Sequence, residues 1–451
     1  MEDTIAAIST ALGVGAISII RVSGKDAIKI VNKIFKGKDL EKVPSHTIHY
    51  GHIINNEEIV DEVLISVMLS PRTFTTEDTV EINCHGGIAT TNKVLELLLF
   101  NGCRIAEAGE FTKRAFLNGR IDLTQAEGVM NLIEAKTESS RALALNQVDG
   151  KVSKLVKDLR QEILEVLANI EVNIDYPEYE DIEVFTNEML FPMLTKIKKA
   201  ILKILNESEN GKILQDGIKT CIIGKPNVGK SSLLNSLLNE EKAIVTDIEG
   251  TTRDIVEGKI SLDGVTLNII DTAGIRETND VVESIGVEKS RKMMDEADLV
   301  LFVLNNNDEI NSEEKKILDS LKNKTHIVII NKKDLESKIN LNDLDGHDYI
   351  FISAFKNEGI DDLKDKIKEL FNLEQILTND MTYLTSARSI SLLKQSLESL
   401  NDIESGLKQE YPIDILEIDL KNIWNKLGEI IGETYEEELI DQLFSQFCLG
   451  K

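Results

Sequence analysis

Residues 224–231 read Gly-Lys-Pro-Asn-Val-Gly-Lys-Ser, which fits the spacing GxxxxGK[ST]. No other feature of the chain constrains its fold as much, because this spacing works only on a loop between a strand and a helix. The glycines let successive backbone N–H groups turn inward around phosphate oxygens. Lys230 would neutralise the β and γ phosphates, and Ser231 would hold Mg²⁺ through its hydroxyl. The helix that starts there adds its positive end. A chance match in a chain of this length has odds of roughly 1–2% at average residue frequencies. The context agrees: apolar Cys221-Ile-Ile precedes the loop, and Ser232-Leu-Leu-Asn-Ser-Leu-Leu follows it.

The remaining parts of a nucleotide switch follow in order. Asp271-Thr-Ala-Gly274 closes an apolar strand. Asp271 can reach Mg²⁺ through water, and the Gly274 N–H can sense the γ-phosphate. Gly250-Thr-Thr-Arg-Asp254 lies between, where Thr252 can complete the Mg²⁺ shell. Asn331-Lys-Lys-Asp334 ends another apolar strand and suits guanine. Asp334 would accept from N1–H and the 2-amino group, Asn331 would reach N7 and O6, and Ser353-Ala354 would back O6 with an N–H. Adenine lacks the 2-amino group, so Asp334 discriminates against it. Phe355 stands where this class often has Lys or Arg. Each short motif is weak alone; five in order at strand ends indicate a guanine-nucleotide domain.

Hydrolysis needs groups beyond these. Ile275 occupies the place where many switch GTPases carry a water-orienting Gln. Arg253 and Arg276 offer no clear arginine finger. Asn227 presents a side-chain oxygen beside the phosphates, where a monovalent cation could supply positive charge. Glu283 could orient water if its loop closes.

Length and composition frame the rest. A chain of 451 residues suggests about three domains. Acidic residues outnumber basic ones 78 to 51, a net charge of −27, which argues against a protein that coats nucleic acid by bulk charge, so any work on RNA would need a local basic site or a basic partner. Cys84, Cys103, Cys221 and Cys448 form no CxxC pair, so neither a zinc ribbon nor a disulfide framework is supported. Cys84 beside His85 is too few ligands for a metal. The N-terminus is no signal peptide, and no apolar run approaches the roughly 20 residues of a membrane span. A soluble, cytoplasmic protein with no membrane association is expected.

The pattern predicts multidomain α/β architecture. Residues 1–118 read as a compact α+β domain, with strands at Ala16–Val22, Glu62–Leu69 and Thr79–Asn83 and helices at Asp26–Phe35 and Thr90–Phe100. Residues 119–216 read as helical, with a second stretch over Glu188–Asn206 and a linker at Asn210–Ile213. Residues 217–371 alternate strand and helix as a parallel sheet covered on both faces. Residues 372–451 are helical again, with Ile418, Ile423, Leu427 and Ile430 on one face, and are expected to pack with the first helical block around the inserted 217–371 unit.

With these residues in place, the whole chain resembles the MnmE/TrmE family of tRNA-modification GTPases. The carriers are Asp3-Thr-Ile-Ala, Ile19-Ile-Arg-Val-Ser-Gly24, Cys84-His-Gly-Gly87, Gly109-Glu-Phe-Thr-Lys-Arg-Ala-Phe-Leu-Asn-Gly-Arg120, the five nucleotide motifs and the terminal Cys448-Leu-Gly-Lys451. The chain departs at Ser9–Ala16, where the family usually carries prolines and more glycines.

The resemblance implies an N-terminal folate-binding domain that forms a homodimer, a discontinuous helical domain and an inserted Ras-like P-loop G domain. It implies GTP hydrolysis driven by K⁺-dependent pairing of two G domains. By motif match the GTP/GDP site comprises Asn227, Val228, Gly229, Lys230, Ser231 and Ser232; Thr246, Asp247, Ile248, Glu249, Gly250, Thr251 and Thr252; Asp271, Thr272, Ala273 and Gly274; Asn331, Lys332 and Asp334; and Ser353 with Ala354. Asn227, Thr246, Ile248 and Thr251 would surround K⁺, the middle two through carbonyls. Ser231 and Thr252 would hold Mg²⁺. Glu283 falls where the family has its water-orienting glutamate. Arg21, Glu81, Arg120 and Lys451 would contact a tetrahydrofolate in its 5-formyl or 5,10-methylene form, and Cys448 is brought near it. The family acts with an FAD-containing partner, MnmG/GidA, in a heterotetramer that builds the carboxymethylaminomethyl or aminomethyl group at C5 of the wobble uridine of certain tRNAs. The alternative is a switch or scaffold GTPase of the ribosome-assembly type, without folate chemistry.

Overall fold

The computed structural model describes residues 3–175, 187–240, 256–262, 264–270, 294–373, 376, 382–435 and 437–450. The chain opens with β1 (Ile5–Ile8), β2 (Ile17–Ser23), α1 (Ala27–Ile34), β3 (Phe35–Lys36), β4 (Thr47–Asn55), β5 (Glu58–Met68), β6 (Thr79–His85), α2 (Ile88–Phe100), β7 (Arg104–Ile105) and α3 (Glu110–Leu117). The strands form a 7-stranded sheet in the order β3-β4-β5-β6-β2-β1-β7. Side chains alternate across a strand. Ile20 and Val22 of β2 therefore enter one face, where α1 and α2 cover them with Ile28, Val31, Val94 and Leu98. Ile17, Ile19 and Arg21 point to the other face. The strands and helices expected here are present, and β1, β3, β4 and β7 are added.

The helical run then divides into α4 (Leu123–Glu134), α5 (Glu138–Val148), α6 (Lys151–Asp175) and α7 (Asn187–Asp216). Gly150, at φ +79°, turns the chain between α5 and α6. The linker expected at Asn210–Ile213 is instead the last part of α7. Its glycine has a packing reason: a Cβ on Gly211 would lie 2.7 Å from Cβ of Tyr383. The helix tolerates the residue because a neighbour fills the space.

Next come β8 (Ile218–Ile223), α8 (Lys230–Glu240), β9 (Val256–Leu262), β10 (Val265–Ile270), β11 (Leu299–Asn305), α9 (Ser312–Leu321), β12 (His326–Asn331), β13 (Tyr349–Phe351) and α10 (Ile360–Leu370). They form a 6-stranded sheet ordered β13-β12-β11-β8-β10-β9. All neighbours are parallel except β9, which pairs antiparallel with β10 at the edge. Both faces are covered, which explains the near-continuous apolar runs. Ile218 and Ile222 of β8 pack with α8 and α10, while Cys221 and Ile223 pack with α9.

The chain ends in α11 (Ala387–Lys408), α12 (Ile413–Ile431) and α13 (Glu437–Phe444). Ile423, Leu427 and Ile430 are buried as expected, but Ile418 is 68% exposed and leaves that face. Arg160 of α6 lies 4.0 Å over the Trp424 ring and donates to the Trp424 carbonyl, joining α6 to α12. By contacts the chain divides into Met1–Met130 with Gln147–Ala200 and Ser391–Lys451, and Asn131–Asn146 with Ile201–Ile390. Among the described residues no helix is long and apolar enough to cross a membrane.

Candidate functional site

β8 lies in the middle of its sheet, and the chain leaves it to form β9 and β10 on one side and β11 on the other. Ligands of open α/β sheets bind at such a switch point, beyond the strands' C-terminal ends. The loop of residues 224–229 emerges there. Gly224, at φ +150°, must be glycine, since a Cβ would lie 2.4 Å from the Val303 carbonyl oxygen of β11. Gly229, at φ +99°, is pressed equally, 2.2 Å from Nδ2 of Asn331. Asn227 takes the left-handed conformation at φ +63° and is exposed. Val228 is buried and plugs the loop into the core below. α8 starts at Lys230, with Leu233 and Leu237 buried under it.

The Lys230 ammonium reaches back over this loop. Its Nζ donates to the carbonyls of Gly224 (2.8 Å) and Lys225 (2.7 Å). Burial pushes its pKa below the ordinary lysine value. A cation withdrawn from water against neutral carbonyls is poorly compensated, and an anion arriving at the loop would restore the balance.

The base-recognition segments converge on the same loop. Asn331, at the end of β12, is buried; its Nδ2 donates to the Val228 carbonyl (2.8 Å) and its Oδ1 accepts the Ala354 N–H (3.0 Å). Ser353 Oγ donates to Asp334 Oδ1 (2.7 Å), a bond that holds the Asp334 carboxyl below the usual range. Ser236 of α8 donates to the Ala354 carbonyl (2.9 Å). Gly229, Ser232, Asn331, Lys332, Asp334, Leu335, Ser353 and Phe355 enclose a cavity of about 230 Å³, with Phe355 91% exposed at its mouth. The structure thus brings the phosphate loop and the base motifs together. It differs from expectation in one respect: Asn331 and the Ala354 N–H, both expected on the base, bond to each other. Asn331 acts as a clip between two loops, and Asp334 is the group turned outward. Thr246, Asp247, Ile248, Glu249, Gly250, Thr251, Thr252, Arg253, Asp271, Thr272, Ala273, Gly274, Ile275, Arg276 and Glu283 lie outside the described residues.

A second set of expected residues gathers on the open face of the N-terminal sheet. Arg21 and Glu81 are register partners on β2 and β6 and form an ion pair of 2.8 Å. Arg21 lies 5.6 Å over the Phe111 ring, and Arg120 lies 4.9 Å over Phe74 while donating to its carbonyl. Phe111 and Phe74 share one cluster with Ile5, Ala7 and Ala106. The chain's C-terminal segment folds back onto the same unit: Gly109 N–H donates to the Cys448 carbonyl, and Ser9 Oγ donates to the Gly450 carbonyl. Cys448 is exposed; Lys451 lies outside the described residues.

Two polar arrangements escaped the sequence reading. Arg114, 1% exposed, donates to Asp3, Glu77 and Glu110. Only the i,i+4 spacing of Glu110 and Arg114 was a visible signal. Asp61 clamps His85 through both the ring Nδ1 (2.7 Å) and the backbone N–H (2.8 Å), and this hydrogen bond raises the His85 pKa. Cys84, read beside His85, faces the other way and is buried.

A parallel sheet with a glycine-rich phosphate loop at its switch point, a half-buried lysine over that loop and an acidic base pocket define a P-loop nucleotide-binding protein with a guanine-type site. Comparison with known proteins narrows this class. The model of the MnmE helical domain matches residues 123–448, and that of the GTP-binding protein TrmE N-terminus matches residues 4–120. The tRNA modification GTPase MnmE of Ligilactobacillus salivarius is 57% identical, covering 100% of this chain and 98% of the relative. Those of Streptococcus thermophilus and Bacillus subtilis are each 55% identical, covering 100% of this chain and 98% and 100% of the relatives. The chain belongs to the MnmE family of tRNA modification GTPases.

Proposed function

We propose that this chain hydrolyses GTP as a component of a tRNA-modifying enzyme. The observation that carries the reading is the junction of Gly229 of the phosphate loop with Asn331 and Asp334 around one cavity, in a chain that matches its relatives along its whole length. Lys230 grips the β and γ phosphates, Ser231 and Thr252 hold Mg²⁺, and Asp334 selects guanine. Mg²⁺, when bound, neutralises charge that develops on the transferred phosphoryl group. Asn227, exposed on the phosphate loop, provides an oxygen for K⁺ together with Thr246, Ile248 and Thr251, and Glu283 orients the attacking water.

The finer reading follows the family. The three-part organisation has boundaries near residues 118, 216 and 371, and the protein is a cytoplasmic homodimer. Its FAD-containing partner is MnmG/GidA, and the product is the carboxymethylaminomethyl or aminomethyl group at C5 of a wobble uridine. The one-carbon unit comes from a tetrahydrofolate held by Arg21, Glu81, Arg120 and Lys451, with Cys448 nearby. The side chains of Arg21 and Glu81 are 17% and 25% exposed, so their pair keeps an open edge from which Glu81 can accept from a pterin.

Nucleoside mass spectrometry of tRNA incubated with this protein, its partner, GTP, K⁺ and methylene-tetrahydrofolate tests the whole. The expected result is the modified uridine, formed only with all components, and faster GTP turnover in K⁺ than in Na⁺. GTP turnover without any uridine product would favour the switch or scaffold reading.

A further inference from the structure

Lys225, the residue after the first glycine of the phosphate loop, points away from the loop. Its Nζ donates to Glu314 Oε2 at 2.8 Å. Glu314 is 5% exposed and sits in the first turn of α9. The same Oε2 accepts the Asn311 N–H at 2.9 Å, while Asn311 Oδ1 accepts the Glu314 N–H, which closes a capping box at the start of α9. The Lys225 carbonyl in turn accepts from Lys230. One peptide of the loop is therefore held from both sides, by the phosphate-gripping lysine through its carbonyl and by a buried carboxylate through its side chain.

A capping box needs Glu314 only for a backbone N–H. The bond to Lys225 is not part of the cap, and it holds a loop cation on a carboxylate where a phosphate would otherwise attract it. We infer that Glu314 is a positioning residue for the nucleotide site: it pins the Lys225 side chain so that the loop carbonyls and amides hold their phosphate-ready directions before ligand arrives. The inference rests on the reading of residues 224–231 as the GTP phosphate loop.

The test uses full-length protein and the fluorescent nucleotide mant-GDP. Glu314→Gln keeps an acceptor for the Asn311 N–H but weakens the tie to the ammonium. It is expected to weaken mant-GDP affinity about tenfold, the scale of a lost hydrogen bond to a charged group, with the change mainly in the dissociation rate. Lys225→Met should do the same, and the double variant should be no weaker than the worse single, because both remove one bond. Asn311→Ala removes the side-chain half of the helix cap and leaves the Glu314–Lys225 bond in place; it should lower the melting temperature and leave affinity unchanged. Additive losses in the double variant, an unchanged Glu314→Gln affinity, or an equal loss in Asn311→Ala would overturn the inference. Absence of mant-GDP binding by the unmodified protein would instead overturn the phosphate-loop reading beneath it.

Discussion

Arg114 and Lys230 are both cations withdrawn from water, and their surroundings are opposite. Arg114 meets the carboxylates of Asp3, Glu77 and Glu110. Burial alone would lower its pKa, but Glu77 and Glu110 outweigh it and the net shift is upward. Lys230 meets backbone carbonyls, and burial moves it downward. A charge whose partners are supplied by its own fold serves structure. A charge left against neutral dipoles at a loop that must admit an anion serves binding.

The largest effects should separate these two roles. Arg114→Ala takes a buried cation away from Asp3, Glu77 and Glu110 and leaves Glu77 without its arginine, and the N-terminal unit should lose about 3–5 kcal/mol of stability. Molecules that remain folded should bind mant-GDP normally. Lys230→Ala should abolish mant-GDP binding without lowering the denaturation midpoint. A stable Arg114→Ala protein, or a destabilised Lys230→Ala protein, would break the contrast.

Asp334→Asn should produce a smaller effect. In the proposed role the carboxylate would accept from two donors of guanine, and an amide cannot repeat both bonds, so preference for GTP over ATP in competition should fall about tenfold or more. Unchanged discrimination would remove Asp334 from base recognition.

The gentlest test is pH. A hydrogen bond from Arg104 holds Asp3 below its ordinary value. Burial would raise Glu110, but bonds from Arg104, the Glu107 N–H and Arg114 bring it below its own. Carboxyls with folded pKa values below their unfolded ones stabilise the fold above the ordinary carboxylate range, and that contribution disappears as pH falls through the folded values. The N-terminal unit should therefore weaken in acid, below about pH 4. Lys230 has the opposite sense: nucleotide affinity should decline on the alkaline side, before an ordinary lysine titrates. Affinity that stays flat to the pH of ordinary lysine titration would show that its burial does not matter for binding.

How far the sequence revealed this molecule depended on whether a signal was local. The β8–loop–α8 unit was fully legible, because its glycines, lysine and apolar flanks are contiguous. β4 was not, because its open face carries Ile48 and Tyr50, 66% and 61% exposed, which blurs the alternation. β9 holds Gly258 and sits at an edge, and β13 is only Tyr349–Phe351, so neither shows a strong period. Gly211 looked like a break because its reason, Tyr383, lies far along the chain. Within the site, residue types predicted the chemistry but not the internal bonding. Asn331 belongs to the expected motif, yet its bond to the Val228 carbonyl joins loops about a hundred residues apart, which no spacing rule conveys. The Arg114 cluster is hidden for the same reason, since Asp3 and Glu77 arrive from remote segments.

The Asn331 clip has a consequence for how nucleotides are told apart. If Asp334 reads the base as proposed, a purine that fits badly against it would displace the segment carrying Asn331, and the Asn331 bond to the Val228 carbonyl would carry that displacement to the phosphate loop. Rejection of the wrong base would then be felt as a slackened hold on the triphosphate, the part every such nucleotide has in common, so selectivity would extend past the ring where it originates.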